Sequence, residues 1–292
     1  MLNRCKYLLI LFCAWCFNIE ARSLDDILES QYIVIAVYDD YAPFSERKGD
    51  VATGIDIDIA QKIALSLGVE LRLKWMTAGE TTDDDLRNHI WKGHYLDRTV
   101  ADVMLRVPYD RAYSQKRDDV GLLAHELVHM FGPYHTESWQ IVFNQERLPD
   151  VPTMALFQYH KIGAEIDSIP HFYLTSAFRG GLREQTRQYD NLVLAIKGMK
   201  DTEVDAVMGL RSQISYLHSQ LDTQQYRLAE NAFPLIGKQK WDIGMAVKTD
   251  FRALGYAVGD VVSALVRNGE MQKIFKKYAA IYEKPTYYQE IE

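Results

Sequence analysis

The sequence predicts an α/β protein in which helices cover a parallel sheet. Two apolar runs, Tyr32 to Val37 and Val69 to Trp75, have the character of buried strands. Between them, Gly54 to Leu67 carries an isoleucine or leucine every fourth residue, which is typical of a helix with one apolar face. Asp56 and Asp58 place negative charge at the start of that helix. A strand, a helix and a second strand in this order build a sheet whose ligands gather at the carboxyl ends of its strands.

Length and composition agree with this fold class. The chain has 292 residues, of which 48% are hydrophobic, enough for one large core or two modest ones. The formal net charge is −7, and the body of the chain has no basic cluster. We therefore expect no nucleic-acid partner.

Residues 1–23, MLNRCKYLLILFCAWCFNIEARS, predict a cleaved secretory signal peptide. Arg4 and Lys6 precede an apolar run from Tyr7 to Phe17 that is too short to span a bilayer. Small and polar residues follow it. The mature protein is therefore expected to be exported. It should lack thiols and disulfides, because all three cysteines lie in this segment, namely Cys5, Cys13 and Cys16.

The segment GIDIDIAQKIALSL resembles the signature of the periplasmic solute-binding proteins of the polar amino acid ABC transporter family. Upstream, YIVIAVYDDYAPFS resembles the first strand and the aromatic binding loop of that family. Near the C-terminus, WDIGMAVKTDFRALGYAVGDVVSALVRNGEMQKIFKKY resembles its closing strand and final helices. The resemblance implies a two-lobed periplasmic-binding-protein fold (type II), with a mixed sheet and flanking helices in each lobe.

The resemblance also implies how the chain divides. Lobe 1 would comprise residues 30–133 and 242–284, and lobe 2 residues 138–238. Crossover strands near GPYHTESWQIVF and near Leu235 to Trp241 would join the lobes. The tail, residues 285–292, is expected to be frayed.

The function implied is that of an exported, non-catalytic and monomeric protein. It would close on a small polar or anionic solute by a hinge motion and deliver that solute to the membrane permease of an ABC transporter. Neither a cofactor nor a metal is expected.

A cleft of this kind needs an aromatic wall, a positive group for a carboxylate and free amides at a helix start. Tyr41 and Phe44 in DDYAPF are candidates for the wall, and Arg106 and Arg111 in MLRVPYDR for the anion clamp. The resemblance favours Arg111, which follows the strand ADVML after a short loop. The same residues are equally compatible with loop packing and a surface ion pair.

Further candidates come from the aromatic loop and from the second lobe. The resemblance places Ser168 at a helix start against the ligand, and Asp39 lies in the aromatic loop. Gly209 stands near the position where family members that bind α-amino acids usually have an aspartate for the ammonium group. Since an unpaired buried ammonium is costly, either Asp205 or Glu165 replaces that acid or the ligand is not an α-amino acid.

Altered loops leave a second function open. The loop LRVPYDR lacks the serine or threonine that the family has ahead of its arginine. Distant relatives with such loops serve beside periplasmic quinoprotein alcohol dehydrogenases, so an accessory role in such a redox system is an alternative.

The segment HELVHMFGPYH, His125 to His135, supplies a third alternative because it matches the zinc-protease pattern HExxHxxGxxH at every fixed position. In a helix, His125 and His129 would bind zinc with His135, and Glu126 would be the general base. The surrounding sequence instead favours a strand and a Pro-Tyr turn that lead into the first crossover. In a strand His125 and His129 would lie roughly 13 Å apart, too far to share one zinc ion. We therefore expect no zinc site.

Overall fold

The computed structural model describes residues 21–96 and 98–289. The strands are β1 (Tyr32–Tyr38), β2 (Glu46–Lys48), β3 (Val51–Thr53), β4 (Glu70–Met76), β5 (Val103–Tyr109), β6 (Val128–Asn144), β7 (Ile162–Glu165), β8 (Thr186–Tyr189), β9 (Ala206–Leu210), β10 (Tyr226–Leu228) and β11 (Lys240–Lys248). The helices are α1 (Leu24–Ser30), α2 (Ile55–Leu67), α3 (Thr82–Leu86), α4 (Arg111–Ser114), α5 (Ile169–Gly180, kinked near its end), α6 (Leu192–Lys200), α7 (Arg211–His218), α8 (Arg252–Arg267), α9 (Glu270–Lys277) and α10 (Thr286–Gln289).

Within the described residues, nine strands form one sheet in the order β4-β1-β5-β11-β6-β9-β7-β8, and β10 pairs with β6. At one end β1 runs parallel to β4 and β5, and at the other β7 runs parallel to β8 and β9. The antiparallel strands β11 and β6 join the two parallel groups. The predicted mixed sheets are therefore present in both halves of the molecule.

A single long strand connects the halves. β6 has 17 residues, and its first part, from Val128 to Ser138, pairs with β11. From Trp139 to Phe143 it pairs with β9 of the other half. This is the crossover strand that the sequence predicts between Phe131 and Phe143. The chain returns at the start of β11, beside Ser138.

The apolar core is divided in the same way. One large cluster packs α2, α8 and α9 on one face of the first half, around Ile35, Ile59 and Phe275. A smaller cluster covers the other face of that half. Two further clusters cover the faces of the second half, around Phe157 and Ile196. Each half therefore has an apolar core of its own. Burial of each large apolar side chain in these cores contributes about 1.5–3 kcal/mol to stability.

The start of α2 is fixed against the loop after β1. Gly54 has φ of 135°, and a Cβ atom there would lie 2.2 Å from the carbonyl oxygen of Phe44. The amide of Asp56 donates to that same carbonyl at 2.8 Å. Only glycine permits this close approach, which holds the aromatic loop in place.

Two segments that the sequence sets apart from the lobes make contacts with the fold. The sequence assigns Arg22 and Ser23 to the signal peptide, but Ser23 is the N-cap of α1 and Arg22 forms an ion pair with Asp102 at 2.5 Å. The rest of that prediction, residues 1–20, lies outside the described residues. The tail, expected to be frayed, contains α10, whose Tyr288 is only 2% exposed because it packs into the first-half core. Residues 290–292 again lie outside the description.

No helix in the described ranges combines the length and apolar character needed to cross a membrane.

Candidate ligand-binding cleft

A cavity of about 450 Å³ lies between the two halves and is lined by both. The crossover strands contribute Trp139 and Trp241, whose rings are 4.7 Å apart. Six of the nine predicted site residues line this cavity, namely Asp39, Tyr41, Arg106, Glu165, Ser168 and Gly209.

Tyr41 forms part of the predicted aromatic wall. Its ring stacks on Phe44 at 5.5 Å and lies 5.6 Å from the ring of Tyr38, which also lines the cavity. Phe44 is fully buried and does not line the cavity, so its predicted contact with the ligand is corrected. It supports the wall from behind, because it fills the space beneath Tyr41.

Arg106 is the cation of the cleft. It lies within β5, is 7% exposed, and its guanidinium carbon sits 3.4 Å from the ring centroid of Phe44. Its Nη1 atom is buried and has no hydrogen-bond partner among the described residues. A buried donor without a partner is costly. This donor is therefore available to an acceptor that enters the cavity.

A β-bulge directs Arg106 towards the cavity. Val107 pairs with Gly244 of β11 and Met104 with Ala246, so two residues of β5 lie opposite one residue of β11. Arg106 has φ of 60°, a left-handed conformation that is unfavourable for a residue with a side chain. Bulges of this kind change the direction of a side chain beside a functional site.

A buried acid compensates the charge of Arg106 from behind. The backbone amide of Arg106 donates to the Tyr134 hydroxyl at 3.2 Å, and that hydroxyl donates to Asp56 Oδ1 at 3.3 Å. Burial raises the pKa of Asp56 to about 7, although the charge of Arg106 and the hydrogen bond from Tyr134 oppose the rise. Burial disfavours the charged form of Arg106, but Asp56, Tyr41, Tyr134 and Glu137 together outweigh burial and raise the pKa of the arginine.

Arg111 lies elsewhere. It is the first residue of the short helix α4, is exposed and does not line the cavity. β5 continues to Tyr109, and Asp110 caps α4 directly after it, so the chain has reached the protein surface at Arg111. The preference of the sequence for Arg111 over Arg106 is therefore corrected.

Glu165 is the acid that faces the cleft from the second half. It ends β7, and its carboxylate has no hydrogen-bond or ion-pair partner within the described part of the chain. Burial raises the pKa of Glu165. From the first half, Asp85 lines the cavity and accepts hydrogen bonds from the Tyr38 hydroxyl and the Gly79 amide, both at 2.7 Å. Asp39 also lines it and pairs with Arg47 at 3.0 Å.

Asp205, the other predicted substitute for the missing acid, is outside the cavity. It pairs with Arg147, lies 3.4 Å from His160 Nδ1 and accepts from the Lys161 amide. Its carboxylate is thus occupied at the far edge of the sheet. Of the two acids proposed from the sequence, only Glu165 can reach a ligand.

Ser168 and Gly209 lie at the cavity as predicted, and each has a defined local role. Ser168 caps α5, because its hydroxyl accepts from the His171 amide at 3.3 Å and donates to the carbonyl of Glu165 at 2.6 Å. A Cβ atom at Gly209 would lie 2.7 Å from Leu192 Cδ1. An aspartate at this position would require Leu192 to move.

Among the lining residues that the sequence did not predict are Tyr38, Asp85, Trp139, Gln213 and Trp241. Both tryptophans lie in the predicted crossover strands, which pass between the lobes. This position in the sequence could have identified them as residues of the cleft. Gln213 of α7 is informative in another way, because its Nε2 atom donates to the carbonyl of Ala42 at 3.3 Å across the cleft. The two halves therefore touch in this conformation.

Behind the cleft, buried polar groups connect the crossover strand to the second half. Glu137 of β6 is fully buried and accepts a hydrogen bond from Ser212 of α7. Burial would raise its pKa, but His135, Arg106 and Ser212 outweigh burial and lower it to about 2. Arg211 beside Ser212 pairs with Glu283 of the C-terminal segment at 2.6 Å, so that segment also contacts the second half.

The histidines of HELVHMFGPYH do not converge. His129 and His135 lie in β6, and His125 precedes that strand. The His125 ring packs on Tyr113 at 4.6 Å, His129 on Tyr256 at 5.6 Å, and His135 on Phe275 at 4.5 Å. Across residues 21–96 and 98–289, no group of His, Cys, Asp and Glu is arranged to hold a metal ion. The strand that the sequence context favours is present, and the helix that a zinc protease needs is not formed.

Neither a protein-family model nor a curated protein matches the chain. Solved structures do match it. One is the amino acid ABC transporter substrate-binding protein AbpA from Streptococcus pneumoniae Canada MDR_19A, bound to L-arginine, with 22% identity, coverage of 87% of this chain and 97% of that chain, and a TM-score of 0.62. An ancestral cationic amino acid solute binding protein matches with 17% identity, 87% and 98% coverage, and a TM-score of 0.65.

A second structure of this ancestral protein, which is described as a precursor of cyclohexadienyl dehydratase, matches with 16% identity, 87% and 98% coverage, and a TM-score of 0.59. The chain has the two-lobed fold of solute-binding proteins. The predicted fold class is thereby confirmed, and the first and second halves correspond to its lobes. At these identities the fold is shared, and the ligand must be argued from the residues of the cleft.

Proposed function

We propose that this protein is an exported solute-binding protein that captures a small solute bearing a carboxylate and a positive group. The observation that carries the proposal is that groups of opposite charge line one cavity from the two lobes. Arg106 presents a buried, unpartnered donor from lobe 1, and Glu165 presents an unpartnered carboxylate from lobe 2. The carboxylate of a zwitterionic ligand would accept hydrogen bonds from Arg106, and its positive group would pair with Glu165. Each protein group would then gain a partner in exchange for the water that it loses.

The size and the lining of the cavity suit such a ligand. Ligand sites typically enclose about 300–1,000 Å³, and this cavity of about 450 Å³ lies in the lower part of that range. Tyr41, Trp139 and Trp241 give it aromatic faces, which favour a ligand with an aliphatic or cationic side chain. The neighbour that binds L-arginine has a ligand of this chemical class.

Closure would follow from the way the lobes are joined. β6 and the segment that leads into β11 connect them, and the ligand would lie between, so rotation about these strands can open and close the cleft. The contact between Gln213 and Ala42 is one that closure forms and opening breaks. A ligand that bridges Arg106 and Glu165 favours the closed state because it binds that state better.

The partners follow from the same proposal. Export by the N-terminal signal would place the protein in the periplasm, where it would act as a non-catalytic monomer and deliver its solute to an ABC permease. The accessory role beside a quinoprotein alcohol dehydrogenase and the zinc peptidase are not proposed. The structural neighbours are solute-binding proteins, and the three histidines of the zinc motif lie apart.

A melting screen tests the proposal. Amino acids, amines and organic acids would be added to purified mature protein, and compounds with both charges should raise Tm. A ligand at a hundred times its Kd adds about 2.7 kcal/mol of stability. Analogues that lack either the amine or the carboxylate should bind more weakly in titration calorimetry. The proposal fails if no zwitterion shifts Tm and small-angle scattering shows the same particle with and without every compound.

A further inference from the structure

The first residues of the described chain are tied to the body of lobe 1. Arg22 Nε donates to Asp102 Oδ1 at 3.1 Å, and Arg22 Nη2 donates to Asp102 Oδ2 at 2.5 Å. The guanidinium therefore forms two hydrogen bonds with the carboxylate. Asp102 is only 3% exposed. Its Oδ2 atom also accepts from the amide of Val34 at 2.8 Å, which ties the pair to β1.

The arginine is held by further contacts. Its Nη1 atom donates to the Ser30 hydroxyl at 2.7 Å, and Nη2 donates to the carbonyl of Tyr32 at 3.0 Å. The guanidinium also lies over the Tyr32 ring, 4.0 Å from its centroid. A residue with so many native contacts belongs to the folded protein and not to a discarded leader.

The backbone nitrogen of Arg22 points at the same acid. It donates to Asp102 Oδ1 at 3.2 Å. Asp102 therefore receives the side chain and the main chain of one residue. The main-chain nitrogen would become an ammonium group if the chain began at Arg22.

The sequence offers two small residues that could end the leader in this stretch, Ala21 and Ser23, and only Ser23 has a small residue, Ala21, two positions before it. The contacts of Arg22 and Ser23 distinguish the two sites. Cleavage after Ser23 would remove Arg22 and leave Asp102 as a buried carboxylate without its cation. Removing one partner of a buried pair is strongly destabilising. It would also remove the Ser23 hydroxyl, which caps α1 by accepting from the Asp26 amide at 3.2 Å.

We propose that a leader peptidase of the exporting cell cleaves between Ala21 and Arg22, and that the new α-ammonium group of Arg22 pairs with Asp102. Water adds across the peptide bond, which leaves a carboxylate on Ala21 and an amine on Arg22. An α-amino group has an ordinary pKa of about 7.7–8.0, so the new amine is mostly protonated at neutral pH. Processing thus converts a neutral amide donor into a charged one, and the mature chain is more stable than its precursor.

The cleavage point is tested on exported protein. The full-length precursor would be expressed in a bacterium, and the periplasmic product analysed by N-terminal sequencing and intact mass. The proposal expects the sequence RSLDD and a mass greater than that of a chain from Leu24 by one arginine and one serine. A product that begins at any other residue overturns it. The proposal rests on export, and the two can be told apart. Unprocessed protein confined to the cytoplasm contradicts export as well, whereas an exported chain with another start contradicts only the cleavage point.

The ion pair is tested by a double-mutant cycle on chains released by a protease that leaves no extra residue. Chains starting at Arg22 and at Leu24 would be compared with and without Asp102→Asn. We expect removal of Arg22 and Ser23 to lower Tm by at least about 5 °C, and by much less in the Asp102→Asn background. Asp25→Asn, at an exposed acid of α1, is the matched control and should leave the difference unchanged. Equal losses in both backgrounds would overturn the pairing.

Acetylation of the Arg22 amine isolates the ammonium group, because it removes the charge and keeps the side chain. It should lower the Tm of the wild-type mature chain and leave that of Asp102→Asn unchanged. The same effect of acetylation on both chains would show that the ammonium does not pair with Asp102.

Discussion

Replacing Arg106 is expected to remove most of the ligand affinity of the cleft. Its guanidinium is buried against Phe44, and its Nη1 atom has no partner within the described residues, so a ligand carboxylate would be its main acceptor. Truncating a buried partner of a charged ligand costs about 2–5 kcal/mol, which corresponds to roughly a thirtyfold to several-thousandfold rise in Kd. We expect Arg106→Ala to fall in this range. Arg106→Lys should also bind poorly, because an ammonium group keeps the charge and loses the two-pronged geometry.

Stability can be separated from binding at this position. Arg106 has φ of 60°, which glycine adopts without strain, so Arg106→Gly should keep the fold while losing the guanidinium. The charge left on Asp56 does not oppose this, because its pKa is already about 7 and loss of the Arg106 charge raises that pKa further, so the carboxyl takes up a proton. We expect Arg106→Gly to melt within a few degrees of the wild type and to bind as weakly as Arg106→Ala.

The assay is titration calorimetry at pH 7.5 with the zwitterion identified in the melting screen. Arg111→Ala is the matched control, because Arg111 is exposed and lies outside the cavity, and it should bind like the wild type. The reasoning is refuted if all three Arg106 variants bind within threefold of the wild type. Loss of binding in Arg111→Ala alone would restore the expectation from the sequence.

Three further predictions concern other groups. Glu165→Gln should weaken binding of a zwitterion but not of its analogue without the amine. Because burial raises the pKa of Glu165, wild-type affinity should fall as the pH is lowered from 7, with the exposed Glu184→Gln as control in calorimetry. Between about pH 4 and 7, Asp56 is protonated in the folded protein and ionised in the unfolded chain. The free energy of unfolding, measured in urea, should therefore fall with rising pH by up to about 1.4 kcal/mol per pH unit. Asp56→Asn should remove this fall. Dialysed protein should contain no stoichiometric zinc by elemental analysis, and Glu126→Gln should change neither Tm nor affinity; tight equimolar zinc would contradict the strand assignment.

Much of the frame around the cleft could be predicted, because local patterns specify it. The four-residue apolar spacing after Gly54 gives α2, and the glycine itself is required by the close approach to Phe44. The apolar runs on either side give β1 and β4, which pair in parallel. These features depend on residues near one another in sequence, where periodicity is most informative.

The choice between Glu165 and Asp205 could also have been made from the sequence. β7 and β9 are parallel, so their carboxyl ends meet at the same edge of the sheet. Glu165 is the last residue of β7, and Gly209 lies near the end of β9, whereas Asp205 directly precedes β9. Glu165 and Gly209 therefore share the edge that faces the ligand, and Asp205 lies at the opposite one.

The arginine could not be chosen in this way, because its position depends on contacts between strands that are far apart in the chain. Side chains alternate along a regular strand, and a charged residue inside the buried run of β5 would then face an apolar core on one side of the sheet. The bulge opposite Met245 breaks this alternation, and the left-handed backbone of Arg106 directs the guanidinium towards the cavity. No glycine marks the bulge in β5, so the sequence contains no local sign of it. The strain at Arg106 is retained because the Tyr134 hydroxyl, which bonds to its amide, and the β11 pairing hold the backbone in place. A strained arginine in an otherwise apolar strand is thus better evidence for a binding role than the position of Arg111 in a motif.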